Sequence, residues 1–189
     1  MASVGAIADA CSGADCVVSA LAGLRDVIIG TQTTLLNAAI RAGVPRFIPS
    51  DFCTDFADLP EDENRNIDLR REFHEIVDAA AISATSIRIG AFAEVLSYNI
   101  PILNYKDGTV GHWGDPDHLI DFTTMNDTAA FTAAAAVDPT TRAVLRIASF
   151  QVSPADLVAF TGKVLGSPFG LGRMGSLEDL QAKNKTDRA

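Results

Sequence analysis

The sequence is short of basic charge, of paired cysteines and of long apolar runs, and each shortage closes off a class of function. Fifteen Lys and Arg stand against 24 Asp and Glu, a net charge of −9. Nucleic acid and anionic membrane surfaces both need clustered cations, so neither is an expected partner. Three cysteines, Cys11, Cys16 and Cys53, make no even set and no Cys-x-x-Cys spacing. This argues against a disulfide scaffold, a zinc site or a redox pair, and favours a reducing compartment, with the cytoplasm as the expected location. No apolar run approaches the ~20 residues of a membrane span, and the opening MASVGAIADAC lacks a basic region and meets Asp9 early, unlike a secretory signal. Neither a G-x-S-x-G elbow nor a P-loop occurs, which removes serine hydrolases and NTPases in their usual forms. The acidic residues between 51 and 63 have no regular spacing and no histidine partner; they read as a solvated lid, and no metal site is expected.

What is present is a chain of 189 residues with 48% hydrophobic content, enough to bury one good core. Val4, Ile7, Ala8 and Cys11 recur at helical spacing between Ser3 and Gly13, which predicts a short capped helix. CVVSAL (16–21) is a continuous β-branched run of the kind buried on both faces of a parallel sheet. LRDVIIGTQTTLLNAAIRAG then predicts a helix stopped at Gly43, and VPRFIPS a strand with Pro45 near its start. After the acidic loop, NRNIDLRREFHEIVDAA predicts a helix and ATSIRIG a strand. LIDFTT and AVLRIAS read as strands around an Ala-rich helix in NDTAAFTAAAAVD. SPADLVAFTGKVLG reads as a helix capped by Ser153, with Pro154 at its first position and Gly166 at its end. Strands alternating with helices predict right-handed βαβ crossovers, hence an α/β fold with a parallel sheet. In such sheets ligands sit beyond the carboxyl ends of the strands, which is where the Ser-Asp-Phe corner of GVPRFIPSDF falls.

At ADCVVSALAG, AAIRAGVPRFIPSDF and TSIRIGAFAEVL the chain resembles the NmrA-like and isoflavone-reductase-like branch of the atypical short-chain dehydrogenases. The resemblance continues through IDFTTMNDTAAFTAAAAVD and LRIAS to GSL. It implies a partial doubly wound (Rossmann-type) parallel sheet with a small carboxyl-terminal α/β substrate lobe. Residues 1–98 would be the carboxyl half of the NAD(P)-binding domain, and 99–189 the substrate lobe with returning Rossmann elements, in one compact unit. It also implies NADP(H) or NAD(H) as cofactor of the full-length protein. Ala20, Leu21 and Gly23 would run beside the central ribose, Pro49, Ser50 and Phe52 would flank the nicotinamide, and Gly90, Ala91 and Phe92 would close its other side.

Two features depart from the family. Its members open with a strand, a G-x-x-G-x-x-G turn and a helix, whereas this chain begins at what resembles the family's fourth strand. A fragment or a displaced start is therefore expected, with strand 16–21 left at a sheet edge. GLGRMG (170–175) matches G-x-G-x-x-G in letters, but only 14 residues follow it, too few for a crossover and its acidic residue; it reads as a turn-rich stretch. In addition, isoflavone-reductase-like enzymes carry a lysine in the helix after the acidic loop, and DLRREFHEIVDAA has none. Arg70 lies nearest that place, with Arg71 and His74 close by. The candidate catalytic residues are Arg70, by position, and His74: an arginine can hold a phosphate or carboxylate but does not replace a lysine acid near neutral pH, whereas histidine is suited to proton exchange in that range. At helical spacing from Arg71, His74 also reads as an amphipathic surface residue. His112 and His118 bracket WGDPD, read either as a substrate pocket with Trp113 or as a hairpin turn over Gly114–Asp117.

The expected function is an NADPH-dependent reductase of a small carbonyl, quinone or aromatic substrate. The alternatives are a non-catalytic NADP(H)-sensing regulator that binds a protein partner, or a chain that binds no nucleotide.

Overall fold

The computed structural model describes residues 4–98, 100 and 102–186. The Ser3 cap therefore lies outside the described residues. The chain packs as two compact units, residues 1–88 with 128–146, and residues 89–127 with 147–189.

The first unit opens with helix α1 (Val4–Cys11), strand β1 (Val17–Val18), a π-helical turn (Asp26–Thr31) that runs into α2 (Gln32–Arg41), and strand β2 (Arg46–Ile48). Gly43 takes φ 72° just past α2, the left-handed stop that glycine adopts without a Cβ penalty. Helix α3 (Arg65–Asp78) follows the acidic loop and begins at Asn64, whose side chain accepts from the Asn66 and Ile67 amides. Strands β3 (Ser83–Ala84) and β4 (Ser86–Arg88) are separated by Thr85 alone, and the Thr85 amide still donates to Phe47 O at 3.1 Å. They act as one strand, parallel to β2 at one end and to β9 (Val144–Arg146) at the other. With β1 parallel to β2, the parallel order is β1, β2, β3–β4, β9. The core contains Val17, Leu36, Phe47, Phe73 and Val77, with Phe47 and Phe73 ring centroids 6.3 Å apart.

Strand β1 sits at the edge of its sheet. Val17 is buried but Val18 is 40% exposed, so the run is not covered on both faces as its composition suggests. The helix over 26–41 is continuous but not uniform: the Gln32 amide reaches Val27 O, five residues back, which periodicity does not reveal.

The second unit holds β5 (Ala91–Phe92), β6 (Leu103–Asn104), β7 (Thr109–Trp113), β8 (Ile120–Thr123), β10 (Phe150–Val152), α5 (Pro154–Leu165), β11 (Gly170–Gly175) and α6 (Leu177–Thr186). Helix α4 (Met125–Val137) belongs to the first unit from Thr128 onward. One small sheet has the order β10-β8-β5 and another β11-β7-β6, around Leu103, Val110, Phe122, Val152 and Leu157. Ser153 and Asp156 form a capping box on α5, which ends at Gly166 in the left-handed region.

Two expectations here are corrected. GLGRMG is not turn-rich but strand β11, parallel to β7; its glycines disguise a strand whose ladder is made by the backbone. Residues 114–117 do turn, but they do not close a hairpin, because β7 pairs with β6 and β11 while β8 pairs with β5 and β10. His112 is buried and its Nδ1 lies 3.1 Å from Gly114 O, which ties down that turn. Among the described residues no helix is long and apolar enough to cross a membrane.

Candidate functional site

The carboxyl ends of β1 and β2 meet at a tightly wound corner. Ser19 N donates to Ile48 O at 2.8 Å, which extends the β1–β2 ladder by one residue. Beyond it the Asp51 amide donates to Pro49 O at 2.8 Å and the Cys53 amide to Asp51 O at 2.6 Å, two successive three-residue turns. Ser50 is held on both sides: its hydroxyl donates to Leu21 O at 2.7 Å, and its amide donates to Gln32 Oε1 at 2.8 Å. Gln32 is itself buried, with Nε2 on Ile28 O. The turn that sets α2 out of ordinary register thus ends at the residue that satisfies the corner.

The corner turns Asp51 inward, where it is 1% exposed. This corrects the expectation that it belongs to a solvated lid. Its Oδ2 lies 2.7 Å from Ser86 Oγ and 2.5 Å from His74 Nε2, and Arg88 Nε lies 2.5 Å from Ser86 Oγ. The direction of this chain follows from its one obligate donor. Arg88 can only donate, so Ser86 Oγ accepts from it and gives its own hydrogen to Asp51. Asp51 then accepts from both Ser86 and His74, which places a hydrogen on His74 Nε2. Arg88 Nη2 also lies 3.5 Å from that nitrogen; as a donor it could bond only to an Nε2 without hydrogen, and the much shorter contact with Asp51 at 2.5 Å decides for the hydrogen.

Arg88 lies over the Phe56 ring, 3.3 Å from its centroid, and Phe56 meets His74 edge-on at 5.7 Å. Arg88 Nη1 is buried without a hydrogen-bond partner, 4.0 Å from Asp55 Oδ1. Burial pulls the Arg88 guanidinium below its usual value, with Asp51 and Asp55 opposing. Burial raises the Asp55 carboxyl, but hydrogen bonds from Arg146 and the Ala57 amide outweigh it and hold Asp55 below the usual carboxylate range. Burial pushes the Cys53 thiol up to about 11.

The sequence-derived residues fall in both units. Ala20 and Gly23 are exposed and Leu21 half-buried at the end of β1; Pro49 and Ser50 are buried and Phe52 half-buried in the corner. The structure joins Leu21 to Ser50 directly. A Cβ on Gly23 would lie 2.7 Å from the Val27 side chain, so packing already calls for glycine there. Gly90, Ala91 and Phe92 lie in the second unit. Gly90 has φ 69°, and a Cβ would sit 2.2 Å from Asp121 O; Ala91 and Phe92 pair with Phe122 and Thr123. Arg70 spends Nη1 on Asn66 O at 2.9 Å. Arg71 donates to the carbonyls of Phe56, Leu59 and Pro60 and pins the acidic loop. His74 is not a surface residue of the helix but joins the buried carboxylate. Asp51, Ser86, Arg88 and Gln32 are additions; the signals for them were an aspartate between Ser50 and Phe52 and an arginine inside the apolar run SIRIG.

The chemistry of this corner fits one end of a dinucleotide. Small residues at the strand ends let a flat ring approach, and Ser19 Oγ is buried without a partner. The pyrophosphate end has no match among the described residues: no glycine-rich turn follows β1, and the helix beyond it opens on Asp26, a charge that disfavours phosphate.

A parallel sheet with helical crossovers and a polar corner past its strand ends is the plan of a dinucleotide-binding α/β protein. The model of the NmrA-like family matches residues 2–177, and the chain belongs to that family. Among solved structures it is similar to AtPrR2 with NADP+ and (+)pinoresinol, at 25% identity and TM-score 0.77, over 91% of this chain and 59% of that one. An isoflavone reductase matches at 22% identity and TM-score 0.78, over 91% and 58%. The leucoanthocyanidin reductase–NADPH complex from Vitis vinifera matches at 22% and 0.76, over 92% and 62%. The chain spans about three-fifths of the length of these structures. No curated protein matches.

Proposed function

We propose that the full-length protein is an NADPH-dependent reductase of a small carbonyl, quinone or aromatic substrate. The observation that carries this reading is the corner at residues 49–53, where a buried carboxylate, a histidine and an arginine gather beyond the end of a parallel strand. The relative at 25% identity was solved with NADP+ and (+)pinoresinol, which supports a nucleotide and a small-molecule substrate here. Ala20, Leu21 and Gly23 would run beside the cofactor's central ribose and Pro49, Ser50 and Phe52 would flank the nicotinamide, with Ser19 offering its unpartnered hydroxyl. Reduced nicotinamide supplies a hydride when bound; the chain's own residues orient the ring and exclude water from it. Gly90, Ala91 and Phe92 are assigned to the cofactor by resemblance alone.

A second reading has its own observation. The helix after the acidic loop has no lysine, and Arg70 and Arg71 both donate to backbone carbonyls. This favours a regulator that senses NADP(H) and passes the signal to a protein partner. NADPH oxidation by the full-length protein across a panel of carbonyls and quinones separates the two. Substrate-dependent oxidation supports the reductase. Tight NADPH binding without turnover supports the sensor, and no binding overturns both.

A further inference from the structure

We propose that His74 is the proton donor of this site, with Asp51 as its positioning residue. This inference rests on the reductase reading. It starts from the one-way hydrogen-bond chain running from Arg88 through Ser86 to Asp51. Because Ser86 already gives its hydrogen to Asp51, the carboxylate is an acceptor, and the 2.5 Å contact commits the Nε2 hydrogen of His74 to it. The other ring nitrogen, Nδ1, has no partner among the described residues, and the His74 side chain is 22% exposed. One nitrogen is anchored to a buried carboxylate and the other is free to exchange a proton, which is the division of labour a general acid requires.

The neighbouring side chains point to the same residue. Arg70 and Arg71 each donate to backbone carbonyls, Arg70 Nε is buried without a partner, and neither side chain releases a proton near neutral pH. Cys53, with its thiol at about 11, is a poor participant. Asp51 lies between Ser50 and Phe52, which the resemblance sets beside the nicotinamide, and its contact with His74 brings the ring to this corner. The edge of Phe56 packs against the ring and fixes its plane. Two charged groups face His74, Asp51 from the corner and Arg88 from β4; Asp55 and, beyond it, Arg146 of β9 pair on the far side of Arg88.

The proposed step balances. A substrate carbonyl carbon takes a hydride from reduced nicotinamide, and the π pair of the C=O bond moves to oxygen. That oxygen takes the proton from Nδ1 of the His74 imidazolium, leaving a neutral ring that regains a proton from water. The nicotinamide leaves oxidised and the substrate leaves as the alcohol.

Two measurements test the assignment. In the 15N-labelled protein, the imidazole resonances of His74 report which nitrogen of the neutral ring holds hydrogen. We expect it on Nε2, against Asp51, with Nδ1 bare. In the full-length protein, His74→Gln should lower kcat at least ~100-fold, the low end for a general acid, without changing KM for NADPH, and His74→Lys should recover part of the loss. A neutral ring with hydrogen on Nδ1 and none on Nε2 overturns the assignment, and so does a His74→Gln enzyme within threefold of an active wild type; either leaves the reductase reading standing. A wild type that binds NADPH but reduces nothing overturns the reductase reading and this inference with it. The resonance measurement needs no variant, so it decides the matter even where His74→Gln fails to fold.

Discussion

Asp51→Asn is the sharpest perturbation of the corner because it keeps the shape of the side chain and removes its charge. Asp51 is 1% exposed and accepts from Ser86 and His74 at 2.7 and 2.5 Å. A hydrogen bond to a charged group contributes about 1.5–3 kcal/mol. Two such bonds give about 3–6 kcal/mol, overlapping the roughly 3–5 kcal/mol lost when one partner of a buried ion pair is removed. His74 is partly exposed, and solvent screens that half of the interaction, which brings the expected loss to about 3 kcal/mol. With a urea dependence of about 2 kcal/mol per molar, the midpoint should fall by about 1.5 M with the slope unchanged. Ser86→Ala should cost about half as much, and the double variant should cost less than the sum, since both remove the same Ser86–Asp51 bond. A midpoint shift under about 0.3 M for Asp51→Asn, or strict additivity with Ser86→Ala, would refute the buried network.

Three further outcomes follow from individual contacts. Gly90→Ala meets both a left-handed backbone and the Asp121 carbonyl at 2.2 Å, so it should cost more than about 3 kcal/mol; Gly30→Ala, with open space around it in the π-helical turn, should be neutral or mildly stabilising in the same melt. Arg71→Met removes the donors to Phe56, Leu59 and Pro60, and limited proteolysis should then cut within residues 53–63 much faster than in the wild type, while α3 stays intact. Cys53 titrates at about 11 because of burial, so less of it is thiolate at every lower pH. Its alkylation at pH 7.5, followed by peptide mass, should run about two orders of magnitude slower than that of a free thiol and keep rising with pH through the range where free cysteine levels off.

Local chemistry made much of the fold legible before any coordinates. Gly43 and Gly166 end helices because each takes the left-handed conformation there, and Ser153 and Pro154 announce the start of α5. Alternating strands and helices were enough to indicate a parallel α/β sheet. GLGRMG failed because glycine content signals turns, whereas a strand paired mainly through its backbone tolerates it. The π-helical turn at 26–31 was not marked in the apolar pattern, which read as one helix up to Gly43. At the site, the corner itself was visible from its position after VPRFI, but its side-chain partners were not. Asp51 meets His74 across 23 residues and Ser86 across 35, and only the folded sheet brings them together. An aspartate in a run of acidic residues reads as solvated until its burial is known.

The most direct test of the nicotinamide corner is backbone hydrogen exchange of the full-length protein with and without NADPH. We expect the nucleotide to slow exchange at residues 19–23 and 49–53, with the acidic loop at 54–63 changing less. NADPH that binds yet leaves 49–53 untouched, or a full-length protein that binds none, would contradict the assignment of this corner to the nicotinamide.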